Sequence, residues 1–494
     1  MLGRKARQFQ QHPAVCLEDF VPHKNLYRQL EAKLDLSFIH ALVAEHYASR
    51  GRPSIDPVVF FKLQLIMFFE DLRSERQLME VVNLNLAHRW YVGYDLGEAL
   101  PHHSSLSKIR TRYGLAVFER FFEHIVDQCC EAGLVWGEEL YFDGTRVQAN
   151  ASMKKLKPRF YVQAKEHVMN VFAQDEQVPP AQECSPNEQQ GGMSSLVKHY
   201  GTYQETERSA SRYHPLADYR VNQTDPDATP LRSSGEDKPH CGYHLHYVVD
   251  GGKARVILAA LVTPATITDN MPMLDLARWV RFRWKVHPRI AVGDTKYGTI
   301  ANIAELEQDG IRAYLPMRDY ANDTPFFPPE QFRYDAEHDV YLCPQEQQLT
   351  RWTNKTEAQA VLYRADAAMC NACPLKAQCT DSTSGKALRR SWFQEELDRV
   401  KGYWDTAAYA KAMRKRQVWV EPMFAEAKEW HHLWRFRLRR LEKVNIEALL
   451  IASGQNLKRL LNQRKRSHRP WPEGEANAMA TSRLPTLSEE LLAS

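Results

Sequence analysis

The apolar positions of the first 135 residues follow helical spacing. Residues 58–69 are apolar nearly all round, which predicts a helix that is buried on every side. Ser74 and Ser104 each stand before a further helical pattern, where a serine side chain can cap the first turn. Short capped helices with basic faces favour a helix-turn-helix type DNA-binding domain over residues 1–135. Three-helix cores are also common in proteins that do not bind DNA, so that alternative stays open.

The pattern changes near residue 136, where short apolar runs begin to alternate with helical spacing. Residues 243–250 and 254–262 flank two glycines and predict a hairpin. Further strands are predicted over 139–143, 289–294 and 311–316, and helices over 271–284, 300–308, 405–430 and 443–463. This order predicts an α/β fold, in which a mixed sheet with flanking helices follows an all-α segment.

Two segments interrupt the α/β pattern and a third follows it. Residues 152–238 are polar and rich in proline and glycine pairs, which predicts a mobile insert. Residues 321–400 carry clustered cysteines and are interpreted as a small inserted module. The α/β core is then expected over 136–320 and 401–465, and residues 466–494 are predicted to form a disordered tail.

The composition is that of an ordinary globular protein, with 44% hydrophobic and 26% charged residues among 494. No apolar run reaches the roughly 18 residues of a membrane span, and no apolar stretch follows the charged N-terminus as in a secretory signal. A cytoplasmic location is therefore expected. The net charge is only +4, but residues 411–443 hold ten Lys or Arg against four Glu. This local excess suits a phosphate backbone or, alternatively, a solvated helix face.

Three carboxylates occupy positions typical of metal-dependent phosphoryl transfer. Asp143 and Asp294 lie where apolar strands give way to polar residues, and Glu421 lies in the basic helical stretch. Mg²⁺ prefers oxygen ligands, and two ions held by a few carboxylates clamp the attacking and leaving oxygens of a phosphate. Each carboxylate alone has an ordinary explanation, a turn cap for either Asp and a weak helix ion pair for Glu421. Together they predict cleavage or joining of nucleic-acid strands.

Two other carboxylates compete for a catalytic role. Asp269 precedes a predicted helix, which it could cap instead. Glu426 lies five residues after Glu421, projects from another helix face and is expected to be solvated. Lys428 lies seven residues after Glu421, which is two helical turns, so it shares the face of Glu421 and could contact phosphate.

Four of the nine cysteines cluster within the inserted module. They are Cys343, Cys370, Cys373 and Cys379, of which two have C-x₂-C spacing. Four thiolates in such a pattern match a tetrahedral structural Zn²⁺ site. The alternative is four unrelated thiols in a loop-rich segment.

Several of these motifs resemble those of the DDE transposases of bacterial insertion sequences. The segment from Gly51 to Arg110 looks like the helical N-terminal domain of that group, and Tyr141-Phe-Asp143-Gly-Thr145 and Gly293-Asp294-Thr-Lys-Tyr297 look like its first two acidic motifs. Glu421-Pro-Met-Phe424 with Lys428 looks like its glutamate motif. The tyrosine and arginine places of that motif hold Arg414 and Gln417, so Arg414 and Arg416 are both candidates for the role of the arginine.

The resemblance implies an RNase H-like core that holds two Mg²⁺ or Mn²⁺ ions on Asp143, Asp294 and Glu421. Phosphate contacts are expected from Lys428, Arg414, Arg416, Arg435 and Arg437. The implied activity is cleavage of the inverted-repeat ends of a mobile element and transfer of the freed 3′-hydroxyls to target DNA. The implied form is a homodimer on double-stranded DNA. The alternatives are a DNA-binding regulator that has lost catalysis and an RNase H-like nuclease.

Overall fold

The computed structural model describes residues 16–47, 54–159, 193–206, 220–232, 238–317, 325–356 and 359–462. Much of the predicted mobile insert 152–238 and the whole predicted tail 466–494 lie outside these ranges. The chain divides into two compact units. The first unit comprises residues 1–137, 143–269 and 419–494, and the second comprises residues 138–142 and 270–418.

Helices form the N-terminal part of the first unit. They are α1 (Leu17–Phe20), α2 (Leu26–Lys33), α3 (Phe38–Val43), α4 (Pro57–Phe69), α5 (Glu75–Leu84), α6 (Leu86–Val92) and α7 (His103–Glu131). Helix α4 coincides with the predicted all-apolar helix and is buried along most of its length. Its start follows from Asp56, whose side chain accepts a hydrogen bond from the Val58 N–H, and from proline at the first helical position.

The predicted serine caps have different outcomes. The Ser74 side chain accepts a hydrogen bond from the Gln77 N–H and caps α5 as predicted. Helix α7 begins one residue before Ser104, and the His102 side chain is its cap. Gly114 interrupts α7 with a φ of 64°, a left-handed conformation that glycine adopts at little cost.

The main sheet contains six strands. They are β1 (Glu139–Gln148), β4 (Thr229–Leu231), β5 (His240–Asp250), β6 (Ile257–Pro264), β7 (Ile290–Val292) and β8 (Arg312–Tyr314). Their order is β4-β5-β1-β7-β8, with β6 also paired to β5. Strands β5 and β6 are antiparallel, which confirms the predicted hairpin, whereas β7 is parallel to both β1 and β8. A mixed sheet of this order with flanking helices confirms the predicted RNase H-like α/β fold.

Shorter elements connect the sheet strands of the first unit. Strands β2 (Leu156–Pro158) and β3 (Arg220–Asn222) form a separate antiparallel pair, and α8 spans Ser195–Thr206. The first unit ends with α15 (Glu421–His431) and α16 (Leu441–Leu461). Helix α16 packs against α4, α7 and β6 within this unit. Its Gly454 lies against the Phe68 ring, where no larger residue fits without a shift.

The second unit adds helices to β7 and β8 and also contains a second sheet. Its helices are α9 (Met273–Trp284), α10 (Ile300–Gln308), α11 (Ala367–Asn371), α12 (Lys376–Cys379), α13 (Gln394–Tyr403) and α14 (Ala407–Trp419). Its second sheet is β9 (Arg333–Asp335), β10 (Val340–Leu342), β11 (Gln348–Lys355), β12 (Ala360–Ala365) and β13 (Ala387–Ser391), antiparallel throughout. A small apolar core that includes Phe332, Leu349 and Tyr363 supports this sheet, which lies in the predicted inserted module.

One predicted helix differs in extent from the structure. The helix predicted over 405–430 is two helices, α14 and α15, with a break at Val420. Pro422 explains the break, because proline lacks the N–H that an uninterrupted helix would need and is tolerated in a first turn. No described helix combines the length and apolarity needed to cross a membrane.

Candidate active site

Asp143 is a largely buried carboxylate in the middle of β1. It is 9% exposed, and the three residues before it are buried and apolar. Its Oδ1 accepts a hydrogen bond from the Gly144 N–H at 2.9 Å. A buried carboxylate is costly unless a positive charge or a metal compensates it. Asp143 is therefore a site where a cation would be stabilised.

Glu421 and Lys428 lie on the same helix of the first unit. Glu421 is the exposed first residue of α15, and Lys428 lies half-buried two turns later. Burial lowers the pKa of the Lys428 ammonium, and the negative charge of Asp143 opposes that shift. The Lys428 Nζ also lies 4.8 Å from the centre of the Trp434 ring, within the range of a cation–π contact. The fold thus brings a lysine of the glutamate-bearing helix into the electrostatic field of Asp143.

Asp294 lies in the second unit, just beyond the end of β7. Its Oδ1 accepts a hydrogen bond from the Lys296 N–H at 2.8 Å, and its backbone carbonyl accepts one from the Tyr297 N–H at 3.0 Å. Tyr141 of β1 pairs with Val292 of β7 in parallel register. Asp143 follows Tyr141 by two residues, and Asp294 follows Val292 by two residues. Each aspartate therefore follows a member of the same strand pair by two residues along the chain.

The four predicted phosphate-binding arginines have different surroundings. Arg414 is exposed on α14 of the second unit, and Arg416 is half-buried there. The Arg435 guanidinium donates hydrogen bonds to the Ala149 carbonyl at 3.2 Å and to the Asn150 side chain at 3.0 Å. These bonds anchor Arg435 to the end of β1.

Arg437 lines a cleft in the first unit, together with other cationic side chains. Its guanidinium lies 3.3 Å from the Glu75 carboxylate, which also pairs with the buried Arg110. The cleft has a volume of about 370 Å³. We call it the basic cleft, and its cationic residues are Arg110, Arg437, Arg439, Arg440 and Lys443. Five cationic side chains around one cleft create a site for anionic groups.

The four clustered cysteines lie at one end of the second sheet. Backbone N–H groups of Gln345 and Lys386 lie 3.4 and 3.3 Å from the sulfurs of Cys343 and Cys370, respectively. The Lys386 ammonium also donates a hydrogen bond to the Cys379 carbonyl at 2.9 Å. Burial raises the pKa of the Cys379 thiol, the Lys386 ammonium opposes that shift, and the other three thiols of the cluster add to it. The four cysteines are therefore neighbours in space.

The two competing carboxylates are both engaged within the first unit. Glu426 is not solvated as predicted, because it lies 3.0 Å from Lys458 and 3.3 Å from Arg459. Burial opposes its ionisation, but Arg459 and Lys458 outweigh that effect and hold the pKa of Glu426 below its usual range. Asp269 does not cap α9, whose cap residue is Pro272. Asp269 is buried and lies beside His244 and His246, two histidines that sequence patterns did not single out.

Two family models match the chain. A transposase domain, DUF772, matches residues 15–112, and a transposase DDE domain matches residues 342–461. The second range includes Glu421, Lys428 and the four clustered cysteines, whereas Asp143 and Asp294 lie outside both ranges.

The search of curated proteins found no match. Among solved structures, the chain is similar to one in the crystal structure of a pre-cleavage Mos1 transpososome. The identity is 12%, over 83% of this chain and 81% of that chain, with a TM-score of 0.16. The two family matches, one towards each end of the sequence, support a DDE-type transposase.

Proposed function

We propose that this transposase cleaves DNA at the ends of its mobile element and transfers the freed 3′-hydroxyls to target DNA. The proposed ligands of two Mg²⁺ or Mn²⁺ ions are Asp143, Asp294 and Glu421. The observation that carries the proposal is the electrostatic interaction of buried Asp143 with Lys428, which lies on the helix that begins at Glu421. The parallel pair of Tyr141 and Val292, which lie two residues before Asp143 and Asp294, supports the same assignment.

The donor set fits a hard divalent cation. All three proposed ligands offer carboxylate oxygens, which Mg²⁺ and Mn²⁺ prefer to thiolates or thioethers. When bound, such ions activate the attacking hydroxyl or water and neutralise charge on the leaving oxygen. Lys428 has a separate role, in which its ammonium binds a non-bridging phosphate oxygen and orients the DNA strand. The Trp434 ring helps to position that ammonium.

The basic cleft is the proposed contact for the DNA backbone. Arg439 and Arg440 are exposed and Lys443 is half-exposed, so all three side chains are accessible to phosphates. The Glu75 carboxylate neutralises part of the charge of Arg110 and Arg437, which leaves the outer residues as the main source of positive potential. The proposed partners are the inverted-repeat ends and the target DNA. A homodimer is proposed because two ends must be cut in concert.

The catalytic assignment is tested by conservative substitutions of the three carboxylates. Asp143→Asn, Asp294→Asn and Glu421→Gln should each abolish Mg²⁺-dependent cleavage of DNA that carries the inverted repeats, while binding of that DNA is largely retained. Glu429→Gln is the matched control, because Glu429 is an exposed glutamate on the same helix. Cleavage by any of the three variants at the wild-type rate would refute the assignment of that residue. Intact binding without cleavage by the wild type would favour a regulator.

The backbone contact is tested by the salt dependence of binding. The Arg439→Ala, Lys443→Ala double variant should weaken binding of all DNA sequences. It should also lower the slope of log K against log salt by about 2, since each phosphate that a cation neutralises contributes roughly 0.9 to that slope. Lys253→Ala, at an exposed position outside the basic cleft, is the control. An unchanged salt slope in the double variant would exclude this cleft as the backbone site.

We also propose that the four clustered cysteines hold a structural Zn²⁺. Four thiolates are the donor set that zinc prefers in structural sites, and backbone N–H groups at two of the sulfurs favour the thiolate form. In the described part of the chain these four sulfurs do not form a group with all members within 4.8 Å of one another. Zinc binding would therefore have to draw them closer together.

A further inference from the structure

Two histidines and an aspartate form a buried cluster that the proposed function does not use. His244 and His246 lie two residues apart on β5, so their side chains project from the same face of the strand. Asp269 lies in the connection between β6 and α9. One potential ligand atom from each residue lies within 4.8 Å of those from the other two. All three residues belong to the first unit.

Neighbouring groups orient both imidazole rings. His244 Nδ1 lies 2.8 Å from the Ile267 carbonyl, which can only accept a hydrogen bond, so Nδ1 carries the proton and Nε2 carries the lone pair. His246 Nε2 lies 2.9 Å from the Thr263 hydroxyl. Histidines that bind metals are typically held in this way, with the second ring nitrogen bonded to a carbonyl or another oxygen.

Two polar atoms of the cluster face the same small space above Gly144. A side chain at residue 144 would place its Cβ 2.9 Å from Asp269 Oδ1 and 3.4 Å from His246 Nδ1. His244 Nδ1, the protonated nitrogen, lies 3.5 Å from the same Asp269 oxygen, which leaves Nε2 as the nitrogen of His244 that could bind a metal. The missing side chain of Gly144 thus leaves room where carboxylate and imidazole atoms converge.

This cluster lies on the opposite face of the sheet from the proposed catalytic carboxylate. Successive side chains of a strand alternate between its faces, so Asp143 and the Cβ direction of Gly144 point to opposite sides. Tyr247, the neighbour of His246, stacks on Phe424 of α15 at a ring separation of 4.7 Å. Helix α15 also carries Lys428, which interacts with Asp143. The histidine side chains therefore point away from α15.

We propose that His244, His246 and Asp269 bind one divalent transition-metal ion with a structural role. Two imidazoles and one carboxylate suit Mn²⁺, Co²⁺ or Zn²⁺ better than Mg²⁺, which prefers oxygen ligands alone. The ion would connect β5 to the segment that follows β6, and it would also compensate the charge of the buried Asp269 carboxylate. The ligands differ from those of the proposed catalytic ions, so this inference does not depend on the proposed activity.

Cobalt binding to the full chain tests the proposal. Wild-type protein stripped of metal and dialysed against Co²⁺ should retain one more ion per chain than His246→Gln or Asp269→Asn. Thr263→Val keeps the shape of the threonine but removes the hydroxyl beside His246, and it should weaken binding of that ion by about 10- to 100-fold. His287→Ala, at an exposed histidine outside the cluster, should bind as the wild type does.

An equal number of bound Co²⁺ ions per chain in the wild type and in both ligand variants would overturn the proposal. The cluster would then be a hydrogen-bonded histidine pair that binds no metal. Should a ligand variant fail to fold, X-ray absorption of Co²⁺ bound to the wild type decides the question. Imidazole nitrogen scattering from one bound ion supports the site. Spectra that contain only sulfur or only non-imidazole oxygen neighbours overturn it. Neither measurement requires DNA cleavage, so failure of this site and failure of the catalytic assignment are separable.

Discussion

Two buried asparagines of α16 satisfy the hydrogen-bonding groups of β6. Asn456 Oδ1 accepts a hydrogen bond from the Ile257 N–H at 2.9 Å, and its Nδ2 donates one to the Ile257 carbonyl at 2.8 Å. Asn445 makes the same pair of bonds to Val262, at 2.7 and 3.0 Å. The two asparagines are three helical turns apart and thus lie on one face of α16. Each asparagine side-chain amide thus makes the hydrogen bonds that the backbone of a neighbouring strand would otherwise make.

Asn456→Ala should destabilise the contact between α16 and β6. The substitution removes two hydrogen bonds, each of which contributes about 1 kcal/mol net to stability. It also leaves the buried N–H and carbonyl of Ile257 without these partners, and an unsatisfied buried group costs about 1–3 kcal/mol. Partial relaxation makes about 2–4 kcal/mol a reasonable total. Because about 1.4 kcal/mol corresponds to a factor of ten, local opening should increase roughly 30- to 1,000-fold.

Hydrogen–deuterium exchange followed by mass spectrometry measures this opening at the two sites separately. In Asn456→Ala the Ile257 amide should exchange faster while the Val262 amide changes less, and Asn445→Ala should reverse the pattern. Asn462→Ala is the control, because Asn462 is exposed at the end of α16 and should change stability by less than about 0.5 kcal/mol. If the Ile257 amide of Asn456→Ala exchanged at the same rate as in the wild type, the reasoning would be refuted.

Three further predictions concern packing, pH and metal. Gly454→Ala places a Cβ 2.4 Å from the Phe68 ring and should lower the melting temperature, although alanine has the better helix propensity. Gly402→Ala is the control, because Gly402 has open space around it, and this variant should raise or maintain the melting temperature. Burial raises the pKa of Glu119 from 4.5 to about 7, so the folded chain holds a proton that the unfolded chain releases, and stability falls as pH rises across that interval. Glu119→Gln should therefore have a higher melting temperature than the wild type at pH 8 and the same melting temperature at pH 4. Equal melting temperatures at pH 8 would contradict this. Elemental analysis should find about one zinc per chain fewer in Cys370→Ser, Cys373→Ser than in the wild type, and an unchanged zinc content would exclude the thiolate site.

Local patterns in the sequence were sufficient for many of the individual elements. The continuous apolar run of α4, the Ser74 cap of α5 and the glycine-flanked hairpin of β5 and β6 are all present where predicted. Each depends on residues only a few positions apart, so composition and spacing report it directly. The placement of Asp143 on a strand and of Lys428 two turns after Glu421 follows from the same local rules.

Contacts between distant residues could not be predicted in this way. The helix face of Glu426 looks polar in sequence and predicts exposure to solvent, yet α16 brings Lys458 and Arg459 against it. Nothing in the sequence indicates that Asp269 lies beside His244 and His246, since this depends on how the chain after β6 returns along the sheet. The sequence does show two histidines alternating along a predicted strand, but that pattern is common in buried strands and does not point to Asp269.

The amino-acid sequence indicated a DDE-type transposase, the α/β class and the residue types available for metal and phosphate chemistry, because motifs and periodicity are properties of short segments. The tertiary structure decided which charges are neighbours. It placed Lys428 in the field of Asp143, paired Glu426 with cations of α16 and set asparagine amides along β6. Electrostatic and hydrogen-bond energies depend on distance and burial, and both are defined only once helices and strands have packed.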